Sequence, residues 1–524
     1  MIRDYYQVGG FQPHIILPNS FRYDDKKLSE FIVGDASPLR PKRNGYGGPI
    51  ELILGIKPTG SSHLLLSEPQ MRAIVQTFRL QYPRPPFATS PKFESLSPIY
   101  FHSVDEFATK LSFLKPKAAK NRTPTDNSQA NKQFAMGDEG IQRGAFEHGR
   151  LLYHILQDPH FDLEKYSLSD ASWTSSLLVY SFVFNTRADD TRHSSVRRTH
   201  PIVLDCGISQ ATIPELHLQG GTSKHLYFTN NKFMNAGGKK LAFQHDTTEE
   251  LDGMVISARL KAFFEDYKNS RAGPMILLVH DEELSLNMLK NCGVDTTSWE
   301  LGIKHLLGFG TSELRREPSP SRSYDPRRQH PGRRDSRREY DDRRTRPRER
   351  SRSPSRSSNP TPYPSSSRPP VDQRSSHRSP PPRLSGSSGG LPEHRQRTYA
   401  PVYVVDIQQQ FKKLMQTATS SESVTKISQY LGLFDADGWN AGNESVMIID
   451  VWRSMVSGPA IDEQRAFWNR KRDPGSRAPQ APPPTEAGAL DYDSDRDPNE
   501  IRQETQQEVH DDDSDWGQSS DDDD

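Results

Sequence analysis

Ten arginines fall between Arg333 and Arg352, among them Arg333, Arg334, Arg337, Arg338, Arg343, Arg344, Arg350 and Arg352. A flexible chain this dense in guanidinium groups gains affinity for RNA by releasing condensed counterions, so its binding should weaken steeply with salt. Arginine also stacks on unpaired bases, which favours single strands over duplexes. Ser319, Ser353 and Ser379 each precede proline and are candidate phosphorylation sites. Each phosphate adds about −1.5 to −2 charge. Roughly seven would cancel the excess of 22 arginines over nine acids between Arg315 and Arg397. The plainer alternative is a solvated spacer that binds weakly to any polyanion.

The second group of candidates is acidic. Asp205 lies in "VLDCG", His280, Asp281 and Ser285 lie in "LLVHDEELSLNML", Asp406 closes "YVVD", and Trp439 and Glu444 bracket "WNAGNE". Acids at a helix start are favoured by the macrodipole and need no catalytic role, which is the bland reading of Asp281, Glu282, Glu283 and Asp406. His280 has no second histidine or cysteine at metal-ligand spacing. Cys206 and Cys292 read as small core residues and form no disulfide framework. "TGSS" at 59–62 and "GFG" at 308–310 lack the flanks of a phosphate loop.

The elements that must hold these residues are unevenly spread. Of the 524 residues 32% are hydrophobic, there are 41 prolines and 34 glycines, and the mean hydropathy is −0.81, so much of the chain cannot bury enough apolar surface to order itself. The net charge of zero hides segregated signs. Residues 1–115 are expected to be partly ordered, with a strand in "GPIELILGI" and a helix in "EPQMRAIVQTFRL". Residues 116–140 read as linker, and 141–199 as a helix and a strand that pack on the following core. Over 200–310 the pattern is α/β: strand "HPIVLDCGI", strands "KHLYFTN" and "KKLAFQH", a helix with Leu251, Val255, Ala258 and Ala262 on one face, strand "PMILLVH", and a helix ending at Gly293. Residues 311–399 read as a disordered Arg/Ser-rich insertion, which loop-closure entropy penalises only mildly. The α/β pattern resumes over 400–465, with Val424, Ile427 and Leu431 on one helical face. Residues 466–524 read as a disordered tail; from Glu486 it carries 16 acids and two arginines. It could dock a basic partner or fold back on the arginines. The start of the chain shows no apolar leader, and no apolar run approaches the roughly 20 residues of a membrane span.

The order of "VLDCG", meander, helix, "LLVHDEELSLNML", "VVDIQQQF" and "WNAGNES" resembles the DEDDh-type 3′–5′ exonucleases of the ribonuclease H-like superfamily, particularly their fungal branch linked to mRNA metabolism. The resemblance covers about 200–310 and 400–460. It implies an α/β fold: a ribonuclease H-like mixed sheet flanked by helices and interrupted by the disordered insertion. Such enzymes hold two divalent cations about 4 Å apart. These repel by roughly 17 kcal/mol at an effective dielectric near 20. Four carboxylates offset that charge, and a histidine serves as base. Carried across, the motif keeps Asp205, puts Gly207 at the glutamate, Asp281 at the asparagine after His280, and Ser285 at the second-motif acid. Trp439 takes the place of the base and Glu444 that of the final aspartate. Trp439 cannot accept a proton. Asp205 and Glu444 remain as metal ligands, too few for a tight pair of ions, so no cofactor is expected; Mg or Mn would enter only if neighbouring acids rebuilt the site.

The resulting expectation is an RNA-binding, or more broadly single-stranded nucleic-acid-binding, adaptor on a catalytically degenerate exonuclease-like domain. Roles in mRNA processing or export are implied by the resemblance. Protein partners would dock through the disordered segments, in the nucleus and/or cytoplasm, with neither secretion nor membrane insertion. The alternatives are an active metal-dependent 3′–5′ exonuclease with relocated ligands, and a protein-interaction scaffold without a nucleic-acid role.

Overall fold

The computed structural model describes residues 2–309 and 400–472, apart from 11–12, 14–24, 42–47, 84, 116–125, 127, 135–138, 169, 271–272, 417–421 and 435–437. The arginine-rich segment, its three candidate phosphorylation sites and the acidic tail lie outside the described residues. The chain is a mixed α/β protein with two sheets flanked by helices. None of the described helices is long and apolar enough to cross a membrane.

The first sheet contains β1 (Asp4–Gln7), β2 (Ile50–Ile56), β3 (Ser62–Ser67), β4 (Ala88–Thr89) and β5 (Ser95–Phe101). They run antiparallel in the order β4-β1-β3-β2-β5. Helices α1 (Asp25–Val33), α2 (Glu68–Phe78) and α3 (Val104–Leu114) cover one face, where Ile32, Leu52, Leu54, Leu64, Ile74 and Phe107 are buried together. Both faces of this sheet are apolar. That is why its strands read as continuous hydrophobic runs rather than as alternating ones.

The second face meets α4 (Gly140–Gln157), which lies between the two sheets: Tyr5, Ile53 and Leu65 from the first share one core with Phe146, Leu151 and Leu152 of α4 and with the larger sheet. The larger sheet contains β6 (Leu178–Thr186), β7 (Val203–Ala211), β8 (Lys224–Phe228), β9 (Thr248–Leu251), β10 (Met275–Val279), β11 (Glu300–Leu301) and β12 (Val402–Asp406). Its order is β11-β12-β10-β6-β7-β8-β9. β7 is antiparallel to both neighbours, while β10 is parallel to β6 and to β12. The strand-like run at 178–186 thus lies at the centre of this sheet, between β10 and β7. β12, which follows residues 311–399, pairs with β10, which precedes them.

Helix α5 (Ser194–Thr199) lies in the β6–β7 connection. α6 (Gly253–Asn269) and α7 (Glu282–Asn291) cover one face of the larger sheet, against Cys206, Ile208, Leu277 and Val404. α8 (Ile407–Met415), α9 (Val424–Tyr430) and α10 (Ala441–Val456) lie on the other, and α11 (Ile461–Arg472) closes the described chain. Two expectations need correcting. The buried face of α6 is Ile256, Leu260, Phe264 and Tyr267, while Val255 and Ala258 are exposed. Bulky side chains set the buried face because burial gain scales with apolar area, and alanine offers little. "KKLAFQH" is not a sheet strand. Its backbone groups are bonded to the start of α10 instead, and the parallel partner of β8 is β9.

Charged groups fasten α11 to the rest. Asp462 accepts from both terminal nitrogens of buried Arg143 at 3.1 and 3.0 Å, and Lys110 of α3 lies 3.8 Å away. These cations hold the Asp462 carboxyl well below its ordinary range. Its contribution to stability is therefore fully present above the usual aspartate pKa of 3.8 and is lost progressively as pH falls below it. Asp462→Ala would strand buried Arg143, so urea melts at neutral pH should show a loss of about 3–5 kcal/mol. Asp462→Asn should fall in between.

Candidate functional site

The strands present alternate residues to opposite faces, and this decides which candidates meet. On β7, Cys206 and Ile208 face α6 and α7. Asp205 and Gly207 face α10, as their contacts with Ala441 show. α10 begins at "AGNE" because Asn440 caps it, its Oδ1 accepting from Asn443 N at 3.0 Å. The structure therefore brings Asp205, Gly207, Trp439 and Glu444 together. Ser285 is buried on α7, the helix packed on the opposite side of the sheet.

Asp205 is fully buried. Its Oδ2 accepts the Ala441 amide at 3.0 Å, inside the first turn of α10, and lies 2.8 Å from His225 Nε2. The other ring nitrogen of His225 is 2.9 Å from Thr248 Oγ1. Asp205 thus anchors a helix N-terminus, where the macrodipole favours negative charge. Gly207 leaves no room for an acid: a Cβ there would sit 2.1 Å from the Ala441 oxygen and 2.7 Å from Gly442 Cα. A Cβ on Gly442 would in turn meet His225 and Phe243 at 2.7 Å. Backbone therefore occupies the space that a glutamate side chain would need.

Glu444 is buried beside this pair. Its Oε1 accepts from Asn440 N at 3.3 Å, completing the cap. Burial first, then the nearby Asp205, pushes its carboxyl up to about 8, against partial relief from Asn440 and Asn185.

The segment 238–244 straps over the same spot. Trp439 N donates to Lys239 O at 2.9 Å and Leu241 N to Trp439 O at 3.0 Å. Asn443 Nδ2 donates to Ala242 O at 2.8 Å while its Oδ1 accepts from Gln244 N at 3.0 Å. Trp439 is buried against Leu204 and Tyr227, and its Nε1 donates to Asn235 Oδ1 at 3.0 Å. "NAGN" thus works as helix cap and strap lock. His225, Asn185, Phe243 and Asn443 escaped sequence reasoning. Only the "NAGN" string offered a signal, and it covers Asn443 alone, whose partners Ala242 and Gln244 lie far back in the chain.

The acids considered as substitutes also have structural partners. Asp406 accepts from Glu282 N at 3.0 Å and Gln409 N at 2.9 Å, so it joins the starts of α7 and α8. Burial, reinforced by Asp281 and Glu282, pushes it up to about 7. Asp281 caps α7 through Leu284 N at 3.0 Å. His280 lies 2.6 Å from Glu422 O, and burial lowers its pKa. Among the described residues no three His, Cys, Asp or Glu side chains are grouped as a metal would require. A cavity of about 370 Å³ opens between the β6–β7 connection and α7, but it mixes Arg187, Arg197 and Arg198 with Asp190 and Asp281. Arg198 is already paired with Glu283 at 2.9 Å.

No known family model matches the sequence, and comparison with curated proteins finds no match.

Two outcomes follow from this packing. Because the folded pKa of Glu444 is raised above its ordinary 4.5, the folded state retains a proton that the unfolded chain releases. Its contribution to stability is complete below that value and is lost as pH rises toward about 8. Glu444→Gln should match the parent near pH 5 and exceed it on the order of 4 kcal/mol near pH 9, read as the difference between denaturant melts. Gly207→Ala should destabilise by ~2–3 kcal/mol, because backbone must shift.

Proposed function

We propose that this chain is an RNA-binding or adaptor protein built on a ribonuclease H-like domain that no longer carries out exonuclease chemistry. The sheet order β8-β7-β6-β10-β12, with only β7 running against the others, supports that fold reading. β6 also packs on α10, where Ser181 Oγ donates to Ser445 O at 2.7 Å.

One observation supports the loss of catalysis: one oxygen of Asp205 is held by Ala441 N and His225 beneath a strap over the start of α10, which leaves only its buried Oδ1 without a partner. The donor set does not fit a pair of divalent cations. Asp205 engages Ala441 and His225 through one oxygen, Glu444 accepts from Asn440, and the remaining positions are glycine, serine and tryptophan. An enzyme with rebuilt ligands would have to use Asp281, Glu282 and Asp406, but Asp281 and Asp406 already bind helix starts. RNA affinity is assigned to the arginine-dense segment by the counterion argument.

The test uses the full chain with end-labelled single-stranded RNA and manganese. No shortening of the strand is expected. Turnover abolished by Asp205→Ala would overturn the reading. Binding should weaken roughly 50-fold between about 50 and 200 mM salt, the slope that four single-strand phosphate contacts give. Absence of binding at low salt would favour the scaffold alternative.

A further inference from the structure

We propose that the loop Asn230–Lys240 is a second contact for single-stranded RNA, in which Phe233 stacks on a base and Lys232 and Lys239 meet flanking phosphates. The inference rests on the RNA-binding reading above and places part of that binding on the folded domain. Phe233 is 100% exposed. Leaving a phenylalanine in water forgoes about 1.5–3 kcal/mol of burial. Its neighbours, by contrast, are held in place. Asn231 Nδ2 donates to Val203 O at 2.6 Å, Tyr227 OH to Lys232 O at 3.2 Å, and Ala188 N to Asn235 O at 3.0 Å. Asn235 Oδ1 also receives the Trp439 indole N–H at 3.0 Å. An anchored loop thus displays one aromatic ring to solvent.

The charge around the ring selects the partner. Residues 216–245 contain four lysines, Lys224, Lys232, Lys239 and Lys240, and no aspartate or glutamate, while Glu250 and Asp252 lie beside the loop, the first paired with Lys232 and the second preceding Gly253, whose amide donates to Asn230. Lys240 lies over the Tyr227 ring at 3.3 Å and holds the strap down. Lys224 and Lys239 are exposed. Lys232 makes one exposed pair with Glu250 at 3.3 Å, which costs little to exchange for a phosphate. An exposed ring flanked by cations is the chemistry of single-strand binders, which stack any base and track the backbone. Paired bases would have to unstack to meet the ring, so duplex is disfavoured.

The experiment uses the full chain and an oligouridine bearing 4-thiouridine. Photo-crosslinking followed by mass spectrometry should place one crosslink at Phe233, besides those in the arginine segment. At about 300 mM salt, where the counterion contribution is suppressed, Phe233→Ala should weaken binding about five- to tenfold, as loss of one stacked base does. Phe233→Trp should restore it, with melting temperatures unchanged. Lys232→Gln combined with Lys239→Gln should flatten the salt slope by about 1.4. Crosslinks confined to 315–397, with Phe233→Ala binding like the parent, would overturn this inference while leaving RNA binding in place. No binding at low salt would overturn both.

Discussion

The seating of the α10 N-terminus directly on β7 and β8 is the constraint around which the rest of the larger domain is arranged. It requires Gly207 and Gly442, since a Cβ on either would strike backbone or the Phe243 ring. It also requires a buried anion to meet the Ala441 amide, and Asp205 supplies it. A buried carboxylate needs further hydrogen bonds to be tolerable, and His225 provides one. Asp205 is held at a helix start, and burial, then the nearby Asp205, pushes the Glu444 carboxyl up to about 8.

The same packing links the closed site to the surface. The strap that seals α10 is continuous with the loop displaying Phe233, and Trp439 joins them through Asn235. The indole fills the cleft against Leu204 and Tyr227 and fixes the outer loop.

Much of the frame was legible in the sequence. "VVDIQQQF" becomes β12 followed by α8, and Val424, Ile427 and Leu431 are the buried face of α9 as their spacing required. "GPIELILGI" and "EPQMRAIVQTF" became β2 and α2. What the sequence did not reveal was long-range pairing. Nothing local told "KKLAFQH" to bond with Trp439 rather than with a sheet neighbour, and nothing local placed β1 between β3 and β4, which come much later in the chain. The candidate site was half visible. Asp205, Gly207, Trp439 and Glu444 do converge, because alternation on β7 and the cap at Asn440 fix them. Ser285 does not, because α7 leaves the sheet on the other face.

The central claim is that the start of α10 is a closed structural joint. Calorimetric titration of the full chain with manganese tests it most directly. The expected result is weak, unsaturated heat that is the same for the parent and for Asp205→Asn. Saturable binding of two ions per chain at micromolar concentration, abolished by Asp205→Asn, would contradict it.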